Sequence, residues 1–184
     1  MDKDKTYTAF VGTNLLASGT LDEVLAMLKS RFDHDGGTLF LIFEDQTGRQ
    51  VDFDLRGTLA DVQARYCPAQ ARVGPGRPKL GVIAREVSLL PRHWEWLEQQ
   101  PNGASGALRR LVDDARKRNP GEQEARSAIE AAGRFLSAMA GDLPGYEEST
   151  RALYARNKER FHELTREWPK DIRLHARHLV RGAI

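Results

Sequence analysis

The chain has 184 residues, 40% of them hydrophobic and 29% charged, a balance that fits a globular protein and excludes a disordered one. Its longest uninterrupted apolar runs, such as Leu39 to Phe43, are far short of the roughly 20 residues a membrane helix needs. Its single cysteine, Cys67, excludes an internal disulfide and a cysteine-based zinc site.

Net charge is only +2, but it is unevenly spread. Residues 1–71 carry 7 basic and 11 acidic side chains, residues 72–118 carry 10 and 5, and residues 119–184 carry 11 and 10. The basic excess therefore sits in the middle of the chain. The opening MDKDK lacks the apolar core of a signal peptide, which together with the lone cysteine points to a cytoplasmic protein.

Taken in order, residues 6–18 predict two short strands about a Gly12–Asn14 turn. Thr20 and Glu23 then form a capping box ahead of Leu21, Val24, Leu25 and Leu28, which recur at helical spacing. After Gly36–Gly37, Thr38–Glu44 and Gln50–Leu55 predict a hairpin around Asp45–Gly48. Val51, Phe53 and Leu55 alternate there with Gln50, Asp52 and Asp54, one face buried and one wet. Gly57–Val62 (GTLADV) then echoes Gly19–Val24 (GTLDEV) 38 residues later. The first 66 residues read either as two strand-strand-helix units sharing a sheet or as two ordinary capped helices.

Residues 68–81 form a basic linker punctuated by Pro68, Gly74, Pro75, Gly76, Pro78 and Gly81. Residues 82–118 predict a strand over Val82–Leu90, a helix opened by Pro91, a left-handed ending at Gly103, and a second helix capped by Ser105. Trp94 and Leu97, three apart, face a core; Trp96, on another side, is left for a partner surface. Residues 119–184 predict a helix over Ala125–Ala140, a continuous helix over Tyr146–Trp168 closed by Pro169, and a last one over Lys170–Arg181 built on Ile172, Leu174, Ala176 and Leu179. The fold class expected is α+β: an N-terminal antiparallel sheet with two helices (1–67), the linker, a central strand-helix-helix module and a helical C-terminal segment.

A strand, two helices and a Gly-x-Ser turn in this order resemble the ribbon-helix-helix DNA-binding family. That resemblance implies a homodimer whose paired strands form a ribbon, with the second helix presenting its N-terminal amides to phosphate. By position, Arg85, Val87 and Leu89 would face the groove, with Ser105 and Gly106 at the phosphate end. Only Arg85 of those three is polar, and the opposite parity turns Glu86 outward, so backbone contacts rather than base readout are expected. Gly76-Arg77-Pro78-Lys79 resembles the centre of an AT-hook, an extended arm for the minor groove; Pro75 stands where the usual hook has a second arginine.

Over nearly its full length the chain resembles the bacterial family known as domain of unknown function 2239. The matching stretches are FEDQTGRQVDFDLRG, GRPKLGVIAREVSLLPRHWEWLEQQPNGASGALRRLVDDAR and FLSAMAGDLPGYEESTRALY. The resemblance implies a bacterial protein and brings no activity with it.

Other constellations are weaker. Asp52 and Asp54 on one strand face, with Asp45 near the turn, could hold a hard cation, although such a row usually forms the solvated side of a hairpin. His175 and His178, three apart, lack a third ligand and read as surface histidines. No serine sits in a nucleophile elbow and no glycine-rich phosphate loop follows a strand, so no catalytic residue, metal or cofactor is expected. The first functional expectation is a DNA-associated regulatory or accessory protein. Its contacts would come from Arg77, Lys79, Arg85, Arg92, Ser105, Gly106, Arg109 and Arg110. The second is a protein-interaction or structural module.

Overall fold

The computed structural model describes residues 5–67, 85–118 and 120–184. The architecture is mixed α+β, and the chain divides into two compact units, Met1–Ala69 with Gln123–Ile184, and Gln70–Glu122.

In the first unit, β1 (Thr6–Val11), β2 (Asn14–Thr20), β3 (Phe40–Glu44) and β4 (Arg49–Val51) form an antiparallel sheet in the order β2-β1-β3-β4. The central pair is in register with Ala9 opposite Ile42 and Phe10 opposite Leu41. Neighbouring residues of a strand point to opposite faces. Ala9 and Ile42 therefore enter one core with Val24, Leu25 and Leu28 of α1 (Leu21–His34) and Val62 of α2 (Leu59–Tyr66). Phe10 and Phe43 enter the other, against the C-terminal helices. A sheet buried on both faces needs apolar residues at both parities, which is why Phe40–Phe43 is continuous rather than alternating; Leu39, ahead of the strand, is exposed.

The two strand-strand-helix stretches, β1-β2-α1 and β3-β4-α2, sit back to back, with β1 and β3 paired at the centre and β2 and β4 outside. Both helices open on the same device. Thr20 donates its backbone N–H and its hydroxyl to Glu23 Oε2, each at 2.9 Å; Thr58 does the same to Asp61 Oδ2 at 2.8 and 2.7 Å. The glycine before each cap has a physical reason. Gly57 holds a φ of +91°, and a Cβ there would lie 3.0 Å from the capping carboxylate.

The second arm of the β3–β4 hairpin is shorter than Gln50–Leu55: β4 ends at Val51, and the chain continues without strand pairing while Leu55 still reaches the core. The turn between them packs closely on α5 (Pro120–Met139). Gly48 lies at φ +64°, and a Cβ there would come within 2.0 Å of the Ala131 carbonyl oxygen. Arg134 Nη1 donates to Thr47 O at 2.7 Å, fixing the same turn to the same helix.

The helix expected over Tyr146–Trp168 is two helices, α6 (Tyr146–Tyr154) and α7 (Lys158–Leu164). Arg156 takes a left-handed φ of +56°, which stops α6; Asn157 Oδ1 then accepts from Arg160 N at 3.0 Å and starts α7. Helix α8 (Lys170–Leu179) follows. Leu174 is exposed, and the inward positions of α8 are Ile172, His175 and Ala176. Trp168, 5% exposed, is anchored by its indole N–H on Pro144 O at 2.8 Å.

In the second unit, α3 (Pro91–Glu98) and α4 (Gly103–Arg118) form a helical hairpin. Pro91 takes the first turn as its fixed φ favours, and Asn102 and Gly103 at φ +71° and +67° make the turn into α4. Residues 85–90 belong to no strand; Val82–Ala84 of the expected strand lie outside the described residues.

Candidate nucleic-acid interface

The residues expected to meet nucleic acid fall in the second unit. Arg77 and Lys79 lie outside the described residues. Arg85 precedes α3, Arg92 is in its first turn, and Arg109 and Arg110 are in the middle of α4; all four are exposed. Ser105 lies inside the first turn of α4 rather than capping it, because the helix starts two residues earlier, at Gly103. Gly106 is half-buried, and a Cβ there would meet Asn102 Cβ at 2.9 Å. The glycine at 106 is thus explained by packing against the α3–α4 turn.

At 100° per residue, Ala104, Ala107 and Leu108 share one side of α4, and Arg109 and Arg110 the other. Ala107 and, on α3, Leu97 are buried in the seam. Helix α3 has 8 residues against 16 in α4, so it covers only the first half of the apolar stripe. Leu111 and Val112 beyond it are exposed, as are Trp94, Trp96, Val87 and Leu90. Trp94 was expected in a core. The short hairpin has too few layers to enclose it.

Arginine pairing differs between the units. In the first, Arg126 and Arg134 meet Glu130, Arg151 meets Glu147 and Glu148, and Arg160 meets Glu163. Arg85, Arg92, Arg109 and Arg110 form no ion pair with any described residue, although Asp113 and Asp114 follow the last two at helical spacing. Arg116, Lys117 and Arg118 occupy the last turn of α4, where cations complement the helix dipole.

The first unit holds a feature that sequence reasoning misplaced. His175 is 8% exposed, not a surface residue. Its ring meets the edges of Phe10 and Phe135 at 5.6 and 4.6 Å, stacks on His178 at 6.3 Å, and places Nε2 3.6 Å from Asp45 Oδ1. Both side chains are more than nine-tenths buried, and neither of these two atoms has a hydrogen-bond partner. Burial pushes the His175 pKa well below the ordinary histidine value, the Asp45 carboxylate opposing the shift and His178 adding to it. A signal was present in the sequence. On the α8 wheel His175 lies about 60° from Ile172 and about 40° from Leu179, on the flank of the arc that Leu179, Ile172 and Ala176 share, whereas Leu174 points away.

Asp45, facing His175, does not gather with Asp52 and Asp54. Asp54 is bound instead by Arg56 and Arg65, at 2.8 and 3.4 Å, and its carboxyl is held far below the carboxylate range by the Arg56 hydrogen bonds. Among the described residues no three His, Cys, Asp or Glu side chains are grouped as a metal would need. Cys67 is half-buried at the end of α2, its thiol pushed up to about 11 by burial and by Asp22. Among the described residues no helix is long and apolar enough to cross a membrane.

No curated protein and no solved structure matches the chain. A family model matches residues 6–180, and by it the chain belongs to DUF2239, a family described as an uncharacterized protein conserved in bacteria.

Proposed function

We propose that this protein is a cytoplasmic, DNA-associated regulatory or accessory protein, a binding protein rather than an enzyme, that contacts phosphate through its second unit. Arg85, Arg92, Arg109 and Arg110 are the described contact residues, with the amides at Ser105 and Gly106 beside them and Arg77 and Lys79 contributed by the linker. The observation that supports the reading is a pairing contrast: the exposed arginines Arg85, Arg92, Arg109 and Arg110 of the second unit lack ion-pair partners among the described residues, while Arg126, Arg134, Arg151 and Arg160 on the helices of the first unit have them. A guanidinium without a carboxylate is open to bidentate hydrogen bonding with phosphate. Residues 85–90 belong to no strand among the described residues, so their backbone is left open to pairing in a homodimer ribbon.

A second reading, docking to another protein, is favoured by the exposed Trp96, Leu111 and Val112 on the same hairpin. Gel shift of duplex DNA over rising salt separates the two. Six cationic phosphate contacts predict that log K falls with log salt at a slope of about −5. Absence of binding at about 50 mM salt contradicts the DNA reading and leaves protein docking. Light scattering tests the ribbon, since a monomer cannot build one.

A further inference from the structure

The C-terminal helices carry a second cationic cluster, independent of the hairpin. Arg173 and Arg177, one turn apart on α8, both reach across to the end of α7. Arg177 Nη2 donates to His162 O at 3.1 Å, and Arg173 Nη1 donates to Arg166 O. Each guanidinium has five N–H donors. In both residues the Nε–H is buried without an acceptor. Lys158, one turn before His162 on α7, adds another positive charge.

The nearby acids are largely committed elsewhere. Glu163 pairs with Arg160 at 2.7 Å, Glu167 lies 3.9 Å from Arg166, and Asp171 accepts from Leu15 N at 2.9 Å on β2. Glu159 is the one carboxylate acting on His162, against Arg177 and Lys158. The two arginines also repel each other. Burying unmet donors is unfavourable, and crowding like charges adds to that, unless an anion joins them.

We propose that Arg173, Arg177, His162 and Lys158 form a binding site for a small dianion of the phosphate class where α8 is tied to α7 and the residues after it. A dianion there would accept from the guanidinium N–H groups left over from carbonyl capping and would offset the repulsion between the arginines. Burial and the two cations hold His162 below the ordinary histidine pKa. A bound dianion reverses that field, so the His162 ring reports occupancy.

The test is a titration of the whole protein with inorganic phosphate, ionic strength held constant with sodium chloride, followed by the histidine ring resonances in NMR. Saturation in the millimolar range with a rise in the His162 pKa is expected. Lys158→Gln, at an exposed position, should weaken binding several-fold, and Arg173→Gln with Arg177→Gln should abolish it, while Arg126→Gln, an exposed arginine paired with Glu130, leaves it unchanged. Glycerol 2-phosphate as a second probe separates sources: tighter binding than inorganic phosphate assigns the site to esterified phosphate, weaker binding to the free anion. If the arginine variants fail to fold, Lys158→Gln decides alone. A linear, non-saturating drift with both probes, or saturation unchanged in Lys158→Gln, overturns the proposal.

Discussion

His175 shows how much one side chain's surroundings can matter. A histidine enclosed by Phe10, Phe135 and α8 favours its neutral form, so its folded pKa lies below its unfolded one. The sign follows directly. Above the ordinary histidine pKa of about 6.5 the ring is neutral in both states and costs nothing. As pH falls below that value the unfolded chain takes up a proton that the folded chain resists, and stability is lost. Between pH 7 and 5 the loss is expected to be about 1–2 kcal/mol. His162 contributes in the same direction, so the diagnostic is a difference. In thermal unfolding His175→Gln should show a flatter pH dependence than the parent over this range; parallel curves would contradict the assignment. Gly48 offers a second test at this scale. Gly48→Ala drives a methyl into the Ala131 backbone and is expected to cost at least 2–3 kcal/mol in urea unfolding. Gly12→Ala, with a similar φ of +58° and nothing within 4 Å, should show only the backbone strain of about 1–2 kcal/mol. Equal costs would mean that the turn does not press on α5.

Elements were legible where the local signal and the tertiary demand agreed. The two capped helices follow from Gly-Thr-x-x-acid, because cap and carboxylate lie three residues apart and need nothing distant. The continuous apolar run at β3 showed a buried strand, although the sequence could not say what lay on its second face; that face is supplied by α5 and α8, some 90 to 130 residues later. The break between α6 and α7 was hidden because a left-handed arginine stands where glycine would have marked the stop. Helix α4 carries a clear apolar stripe, but its length says nothing about how little of it α3 covers. With Leu97 and Ala107 as its buried seam, the α3–α4 hairpin holds far less apolar contact than the sheet unit. Amides of 91–98 and 103–118 are therefore expected to exchange hydrogen orders of magnitude faster than those of β1 and β3. Mass-spectrometric exchange on the isolated protein checks this, and equal protection would show that the hairpin is closed by something else.

At the scale of the molecule, the two units differ in core and in surface. The first has a two-sided core and many of its helix arginines in ion pairs, the attributes of a stable body. The second has exposed arginines, exposed apolar residues and little core, the attributes of a part completed by a partner. The charge asymmetry was visible in the sequence from counts alone, an excess of five basic residues over 72–118. Which arginines already had partners was not visible, since Arg126 and Arg109 each have an acid at helical spacing and only the first is paired. The double variant Arg109→Gln/Arg110→Gln tests this account most directly. Measured by gel shift between about 50 and 200 mM salt, its slope of log K against log salt should be shallower than the parent's by about 2, with affinity lowered alike on unrelated duplex sequences. An unchanged slope and affinity would contradict the account, because the arginines of α4 would then not be touching phosphate.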